Sequence, residues 1–395
     1  MSELAIDGGD PVRLQMLPYG HQCIGDDDVE AVIQVLRSDW LTTGPTVARF
    51  EEAFAAQVGA KYAVAVSNGT AALHAAAFAA GIGPGDEVIV TPMTFAASAN
   101  CVHYQGAKAV FVDVRPDTLN LDPSKVEAAI TPCTRAIVTV DYAGQPSDLD
   151  ELNAIAERHR LTVIEDAAHA LGANYRGRRV GTLAHLTTFS LHPVKQITTG
   201  EGGIVTTDHA ELAARMRIFR NHGITSDHRQ REVSGSWFYE MVDLGYNYRL
   251  TDIQCALGLS QLKKLAGWNV RRREIAARYT STFAAVPEIE PLTVLSDREP
   301  GWHLYVIRLN LERLRVGRAE VFKALRAENI GVNVHYIPVP WHPYYQKRGY
   351  VKGRWPVAES AYERIISLPM WPMRSDQDVS DVITACMKVI RAYRK

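Results

Sequence analysis

Short runs with apolar residues at nearly every position alternate with amphipathic stretches over residues 60 to 210. The runs Tyr62–Val66, Glu87–Thr91, Ala109–Val114, Ala136–Asp141, Thr162–Asp166, Thr187–Leu191 and Ile204–Thr207 predict strands. Helical spacing predicts Thr70–Ala80, Ala96–Gln105, Pro123–Ile130 and Asp148–His159 between them. Strands without polar alternation are buried on both faces, which is the signature of a mostly parallel α/β sheet of seven strands flanked by helices. Ligands in such sheets bind beyond the carboxyl ends of the strands. Ser67, Thr91, Asp166 and Leu191 all stand at or near those ends.

After Thr251 the pattern changes. Long helices are predicted over Asp252–Leu265 and Asn269–Phe283, then a strand His303–Leu309, a helix Arg318–Asn329, a strand Val332–Tyr336 and a helix Gln377–Arg394. Asp297–Gly301 reads as a loop. The expected organisation is a large domain over residues 1–250 and a smaller α+β domain over residues 251–395, and the 395-residue length alone favours two domains.

The formal net charge of -1 provides no global field for nucleic acid or an anionic membrane. No apolar stretch approaches the roughly 20 residues of a membrane span. The N-terminus lacks the basic-then-apolar order of a signal peptide. Cys23, Cys101, Cys133, Cys255 and Cys386 are widely spaced and form no CxxC pair, so neither a disulfide framework nor a thiol metal site is expected. A cytoplasmic protein without a metal is the expectation.

Several segments carry candidate chemistry. Lys195 follows one predicted strand, and Asp166 ends another. An amine able to form a Schiff base and a carboxylate able to keep a pyridine nitrogen protonated are what pyridoxal phosphate requires. Ser67-Asn-Gly-Thr70 closes a strand and opens an Ala-rich helix, so it is either a plain N-cap or a phosphate site at a helix N-terminus. Phe95 is core filler or a partner for a flat ring. His169 is a loop histidine or a hydrogen-bond partner of the ring hydroxyl, and Ser190 stands where a hydroxyl can join a phosphate cup. His192 flanks the same loop. Asn247 and Arg249 precede a helix and are placed to reach a phosphate in this subunit or a neighbouring one; His335 and Tyr336 line a sugar pocket or pack a small domain. Gly81-Ile-Gly83-Pro-Gly85 fails as a dinucleotide loop, because Asp86 occupies the third glycine position and a helix precedes it.

Taken in order, these segments resemble the DegT-type nucleotide-sugar aminotransferases, whose architecture is the fold type I of pyridoxal-phosphate enzymes. The resemblance runs through Ser38-Asp-Trp-Leu-Thr-Thr-Gly-Pro45, Ser67-Asn-Gly-Thr-Ala-Ala-Leu73, Glu165-Asp-Ala-Ala-His169, Phe189-Ser-Leu-His192, Arg220-Asn-His-Gly223, Gly245-Tyr-Asn-Tyr-Arg249 and Val334-His-Tyr-Ile-Pro338. By position it implies that Lys195 is the Schiff-base lysine and Asp166 the pyridinium partner. It further implies that Phe95 stacks on the ring, that Gly69, Thr70 and Ser190 cup the phosphate, and that Asn247 reaches that phosphate from the other subunit of a homodimer. Thr42, His192, Arg249, His335 and Tyr336 fall among the implied substrate contacts.

Within the family, Asn221-His-Gly-Ile-Thr225 and His342-Pro-Tyr-Tyr-Gln346 resemble the pseudaminic acid branch. That branch implies transfer of the amino group of L-glutamate to C4 of a UDP-linked 4-keto-6-deoxy-N-acetylhexosamine. The implied product is UDP-4-amino-4,6-dideoxy-N-acetyl-β-L-altrosamine. Related branches act on other sugars or on dTDP-linked ones. Sugar dehydratases of similar sequence carry histidine in place of the lysine, so Lys195 argues against that activity. A non-catalytic cofactor-binding regulator is the remaining alternative, and an intact Lys195 and Asp166 disfavour it.

Overall fold

The computed structural model describes residues 3–395, with the side chain of His228 excepted. In chain order the strands are β1 (Tyr62–Val66), β2 (Glu87–Val90), β3 (Lys108–Phe111), β4 (Thr134–Val140) and β5 (Thr162–Asp166). A hairpin of β6 (Asn174–Tyr175) and β7 (Arg178–Arg179) precedes β8 (Leu186–Ser190) and β9 (Gly203–Thr207). The main sheet has seven strands in the order β1-β9-β8-β5-β4-β2-β3. The pairs β2/β3, β2/β4, β4/β5 and β5/β8 are parallel, whereas β9 runs antiparallel to both β8 and β1. Their buried faces contact helices on either side, which explains the missing polar alternation.

The helix Gly69–Ala79 owes its position to its composition. Alanine holds a helix at no side-chain entropy cost and lets it approach the sheet closely; Ala72, Ala75, Ala76 and Ala77 are wholly buried. Its cap is Asn68, whose side chain accepts from the Ala71 N–H at 2.8 Å. Gly203 makes the close approach possible, since a Cβ there would meet the Asn68 carbonyl oxygen at 2.3 Å.

The C-terminal part contains β10 (Ile289–Pro291), β11 (Arg298–Glu299), β12 (Tyr305–Leu309) and β13 (Ile365–Leu368). A sheet in the order β10-β12-β13 shares an apolar core with the helices Leu265–Phe283, Arg318–Ala327 and Asp376–Tyr393. Leu4 and Leu17 from the N-terminal arm join that core. Across residue 250, the Asp252 carboxylate accepts from the Gly44 and Thr46 N–H groups at 2.7 and 2.8 Å and so caps the helix Pro45–Val58.

Three local expectations differ from the structure. Val332–Tyr336 makes only one bridge among the described residues, Asn333 to Ser367 at the outer edge of β13, because Val334, His335 and Tyr336 turn towards a cavity. Within Asp297–Gly301, Arg298 and Glu299 pair with Tyr175 and Asn174. The segment Pro123–Ile130 is a short helix, Pro123–Val126, tightening into a 3-10 turn. The helices Asp26–Leu36, Pro45–Val58 and Ala210–Phe219 extend the fold beyond the expected elements.

Candidate active site

A cavity of about 830 Å³ lies beyond the carboxyl ends of β1, β5 and β8, a size ordinary for a small-molecule or cofactor site. It brings together Gly69, Thr70, Phe95, Asp166, His169, Ser190, His192, Lys195, His335 and Tyr336 from the residues singled out in the sequence. The Asn68-capped helix points its N-terminus at this space, where the first N–H groups have no intrahelical partner.

Lys195 lies in the loop between β8 and β9, its N–H donating to the His192 carbonyl at 2.9 Å. Desolvation pushes its ammonium down to about 8, and the nearby Asp166 carboxylate opposes that shift only in part. Asp166, at the end of β5, is 6% exposed. Ser98 donates to its Oδ2 at 2.6 Å and the Ala168 N–H to its Oδ1 at 3.2 Å. Burial raises the Asp166 carboxyl above the usual range, against the lowering effect of Ser98, Ala168 and Lys195. An incoming cation would therefore find an under-compensated anion there. Ser98, which the motifs did not reveal, is itself fixed by the Thr94 hydroxyl at 2.7 Å.

Gly69 faces Ser190: a Cβ at Gly69 would meet Ser190 Cβ at 2.9 Å and Oγ at 3.1 Å. The bare backbone, the helix N-terminus and the hydroxyls of Thr70 and Ser190 thus form a cradle suited to a phosphate. Phe95 keeps 61% of its surface exposed at the cavity, with its ring 6.1 Å from that of Tyr336. Such an apolar face suits a flat heterocycle.

The other wall is rich in imidazoles. His169 is buried, and its Nε2 lies 3.0 Å from the Tyr336 hydroxyl. His335 Nδ1 lies 2.8 Å from Ser367 Oγ. Burial, reinforced by Lys195, holds His335 down at about 4 and His169 well below the usual imidazole range. His303, absent from the sequence motifs, also lines this wall, its ring centroid 4.6 Å from that of His169 and tilted to it by 42°.

Three of the sequence candidates lie elsewhere. Thr42 is exposed and bridges to Thr251. Asn247 is exposed and bridges to Asn221. Arg249 donates to Asn221 Oδ1 at 2.8 Å and borders a separate cavity of about 740 Å³ with Thr43 and Arg217.

Comparison with known proteins agrees with this geometry. The sequence profile of the DegT/DnrJ/EryC1/StrS aminotransferase family matches residues 22–387. The spore coat polysaccharide biosynthesis protein SpsC of Bacillus subtilis (strain 168) is 46% identical over 382 residues, covering 96% of this chain and 98% of that protein. Among solved structures, the PMP form of the putative sugar aminotransferase Spr1654 from Streptococcus pneumoniae superposes with a TM-score of 0.90 at 33% identity, covering 95% of this chain and 99% of that one. Helicobacter pylori PseC, an aminotransferase involved in the biosynthesis of pseudoaminic acid, gives a TM-score of 0.90 at 32% identity, covering 96% and 100%. A half-buried lysine and a buried aspartate in one cavity, a cradle suited to a phosphate and this relatedness lead to one conclusion: the chain belongs to the DegT/DnrJ/EryC1/StrS family of fold type I sugar aminotransferases and depends on pyridoxal phosphate.

Proposed function

We propose that the protein transfers the amino group of L-glutamate to C4 of a UDP-linked 4-keto-6-deoxy-N-acetylhexosamine, forming UDP-4-amino-4,6-dideoxy-N-acetyl-β-L-altrosamine and 2-oxoglutarate. The observation that carries the chemistry is the placement of Lys195 and Asp166 in one desolvated cavity beside the Gly69–Ser190 cradle. Support for the sugar comes from the overall likeness to PseC. The higher identity to SpsC, a coat polysaccharide protein by name, favours a second reading in which the acceptor is another nucleotide-linked 4-keto-6-deoxy sugar.

When bound, pyridoxal phosphate supplies an aldehyde for the reacting amine and an electron-withdrawing ring that acidifies the adjacent C–H bond. The residues of this chain divide the remaining work. Gly69, Thr70 and Ser190 would hold the phosphate, and Phe95 would offer an apolar face to the ring. Asp166, its carboxylate oriented by Ser98, would supply the negative charge that keeps the ring nitrogen protonated. His169 would serve the ring hydroxyl.

Lys195 would anchor the cofactor and, once freed by the amino donor, would accept on its Nζ the proton lost from the donor's α-carbon and deliver it to the carbon on the other side of the transferred nitrogen. Burial lowers the Lys195 ammonium and so favours the neutral amine that this role needs. His192, His335 and Tyr336 contact the substrate. The two substrates react in alternation, ping-pong fashion.

Asn247 completes the phosphate site of a second copy in a homodimer, with Arg249 and Thr42 near that partner's substrate. The chain next to Asn247 exposes Trp237 (85%), Met241 (68%) and Leu244 (71%), an apolar surface of the kind that subunits cover. Five unpaired thiols suit a reducing compartment, the cytoplasm. The test is an amino-transfer assay over a panel of UDP- and dTDP-linked 4-keto-6-deoxy sugars with glutamate as donor. Transfer to C4 of the UDP-N-acetylhexosamine, with the altro configuration in the product, is the expected result; preference for another sugar transfers the assignment to the second reading.

A further inference from the structure

The proposed reaction sets an electrostatic problem for one cavity. Glutamate brings carboxylates to Lys195, while the keto sugar that follows it is uncharged at the reacting end. A fixed buried arginine would serve the first substrate and be left unpaired with the second, an unfavourable state. Among the described residues of this chain that line the cavity there is no arginine, and Lys195 is the one lysine; the Arg249 proposed to reach the site belongs to the other subunit.

His303 stands in that cavity with an unused polar atom. It is 5% exposed, and its Nδ1 is buried without a hydrogen-bond partner among the described residues. Its neighbour His169 likewise has a buried Nδ1 without a partner among the described residues, while its Nε2 is engaged by Tyr336. Buried polar nitrogens are costly to leave unsatisfied; the ring hydroxyl of the cofactor would meet that of His169, and the one on His303 is left to point to a further ligand.

The backbone presenting His303 is also strained and held. Trp302, directly before it, adopts φ +48, a left-handed conformation that a bulky residue rarely takes. Arg272 fixes this turn, donating to the Trp302 carbonyl at 3.0 Å and the Met370 carbonyl at 3.2 Å, with the Lys195 carbonyl at 3.5 Å. One guanidinium thereby ties the lysine loop to the segment that carries His303.

We propose that His303 receives a carboxylate of the amino donor, as a neutral imidazole in the free cavity that takes up one proton from solvent when the carboxylate enters and releases it when the sugar replaces it. This rests on the proposed use of an amino acid such as glutamate as donor. The groups facing His303 favour its neutral form in the free state. Burial acts first, followed by Lys195 from its loop, His169 after β5, Arg272 from the helix Leu265–Phe283, and His335. A carboxylate within hydrogen-bond reach reverses the balance, because an adjacent anion stabilises the imidazolium.

The experiment uses glutarate, a dicarboxylate with no amine to react, bound to the holoenzyme in calorimetry with buffers of different ionisation enthalpy. Wild-type protein is expected to take up close to one proton per glutarate at about pH 7, with Kd weakening about tenfold per pH unit where His303 titrates. The cofactor's visible absorbance, recorded in the same samples, separates any proton taken up by its own linkage to lysine. His303→Asn and His303→Gln should lose the proton uptake and raise the KM for glutamate about tenfold or more, leaving the KM for the keto sugar unchanged. Absence of uptake in the wild type beyond that seen by absorbance, or wild-type uptake in both variants, overturns the assignment. If glutamate supports no transfer in the wild type while proton-linked glutarate binding persists, the proposed donor fails and the receptor stands.

Discussion

The Ser98 hydroxyl donates to Asp166 Oδ2 across 2.6 Å, from the first turn of the helix Ala97–Tyr104. Both side chains are buried, and the serine's own position is set by Thr94 one helical turn earlier. A charged hydrogen bond of this kind contributes roughly 1.5–3 kcal/mol. Ser98→Ala should therefore lower turnover about tenfold or more and move the acid limb of the pH–rate profile upward, since Asp166 loses a group that favours its ionised form. Stopped-flow or steady-state rates across pH check this. An unmoved acid limb would count against a role for Ser98 in keeping Asp166 charged.

Gly69 and Ser190 form a second matched pair. A methyl group at Gly69 would fall 2.9 Å from Ser190 Cβ. Gly69→Ala should weaken pyridoxal phosphate binding about tenfold, read by absorbance titration, because the added methyl displaces the Ser190 hydroxyl from the cradle, and Ser190→Ala should therefore cost little more in that background than the single variant does. Equal affinity in the single variant would remove this pair from the phosphate cradle.

Shared sites can be tested by mixing. Lys195→Ala and Asn247→Ala subunits should each be inactive or nearly so as homodimers, whereas their heterodimer should regain one competent site. Activity near half that of wild type per heterodimer, on the order of one site in two, is expected. With mixing verified by differently tagged subunits, no recovery would place Asn247 outside the partner's site.

Acid should destabilise the fold through buried histidines. Burial holds His74, 3% exposed and 3.1 Å from the Tyr248 hydroxyl, down at about 4. A histidine whose folded pKa is depressed contributes stability that is present above its unfolded pKa of about 6.5 and is lost as pH falls towards the folded value. Melting temperature should thus drop from about pH 6.5 to about pH 4, and His74→Phe should flatten that slope whatever its effect on the melting temperature at neutral pH. An unchanged slope would show that other groups dominate the acid limb.

The strand ends that frame the cavity were readable because double-sided burial leaves uninterrupted apolar runs, and the residue closing such a run is automatically at the edge of the sheet. Asp166, Ser190 and Lys195 followed from that. Val332–Tyr336 looked like another strand because its β-branched and aromatic residues suit one, yet only Asn333 pairs, and the side chains beyond it face the cavity. His303 and Ser98 were not readable. One is a solitary histidine ahead of β12 and the other a serine amid alanines, and both gain meaning only from what the fold sets beside them. The helix Pro45–Val58 did carry a signal, proline at its first position. Asn247 and Arg249 lie away from the cavity of their own chain, where Arg249 instead donates to Asn221.

The most direct measurement is chemical trapping. The holoenzyme is reduced with borohydride, digested, and each lysine peptide weighed for added cofactor. The account predicts one modified peptide, carrying the cofactor on Lys195 Nζ, with loss of visible absorbance on reduction. Modification of a different lysine, or none in protein shown to bind pyridoxal phosphate, would contradict it.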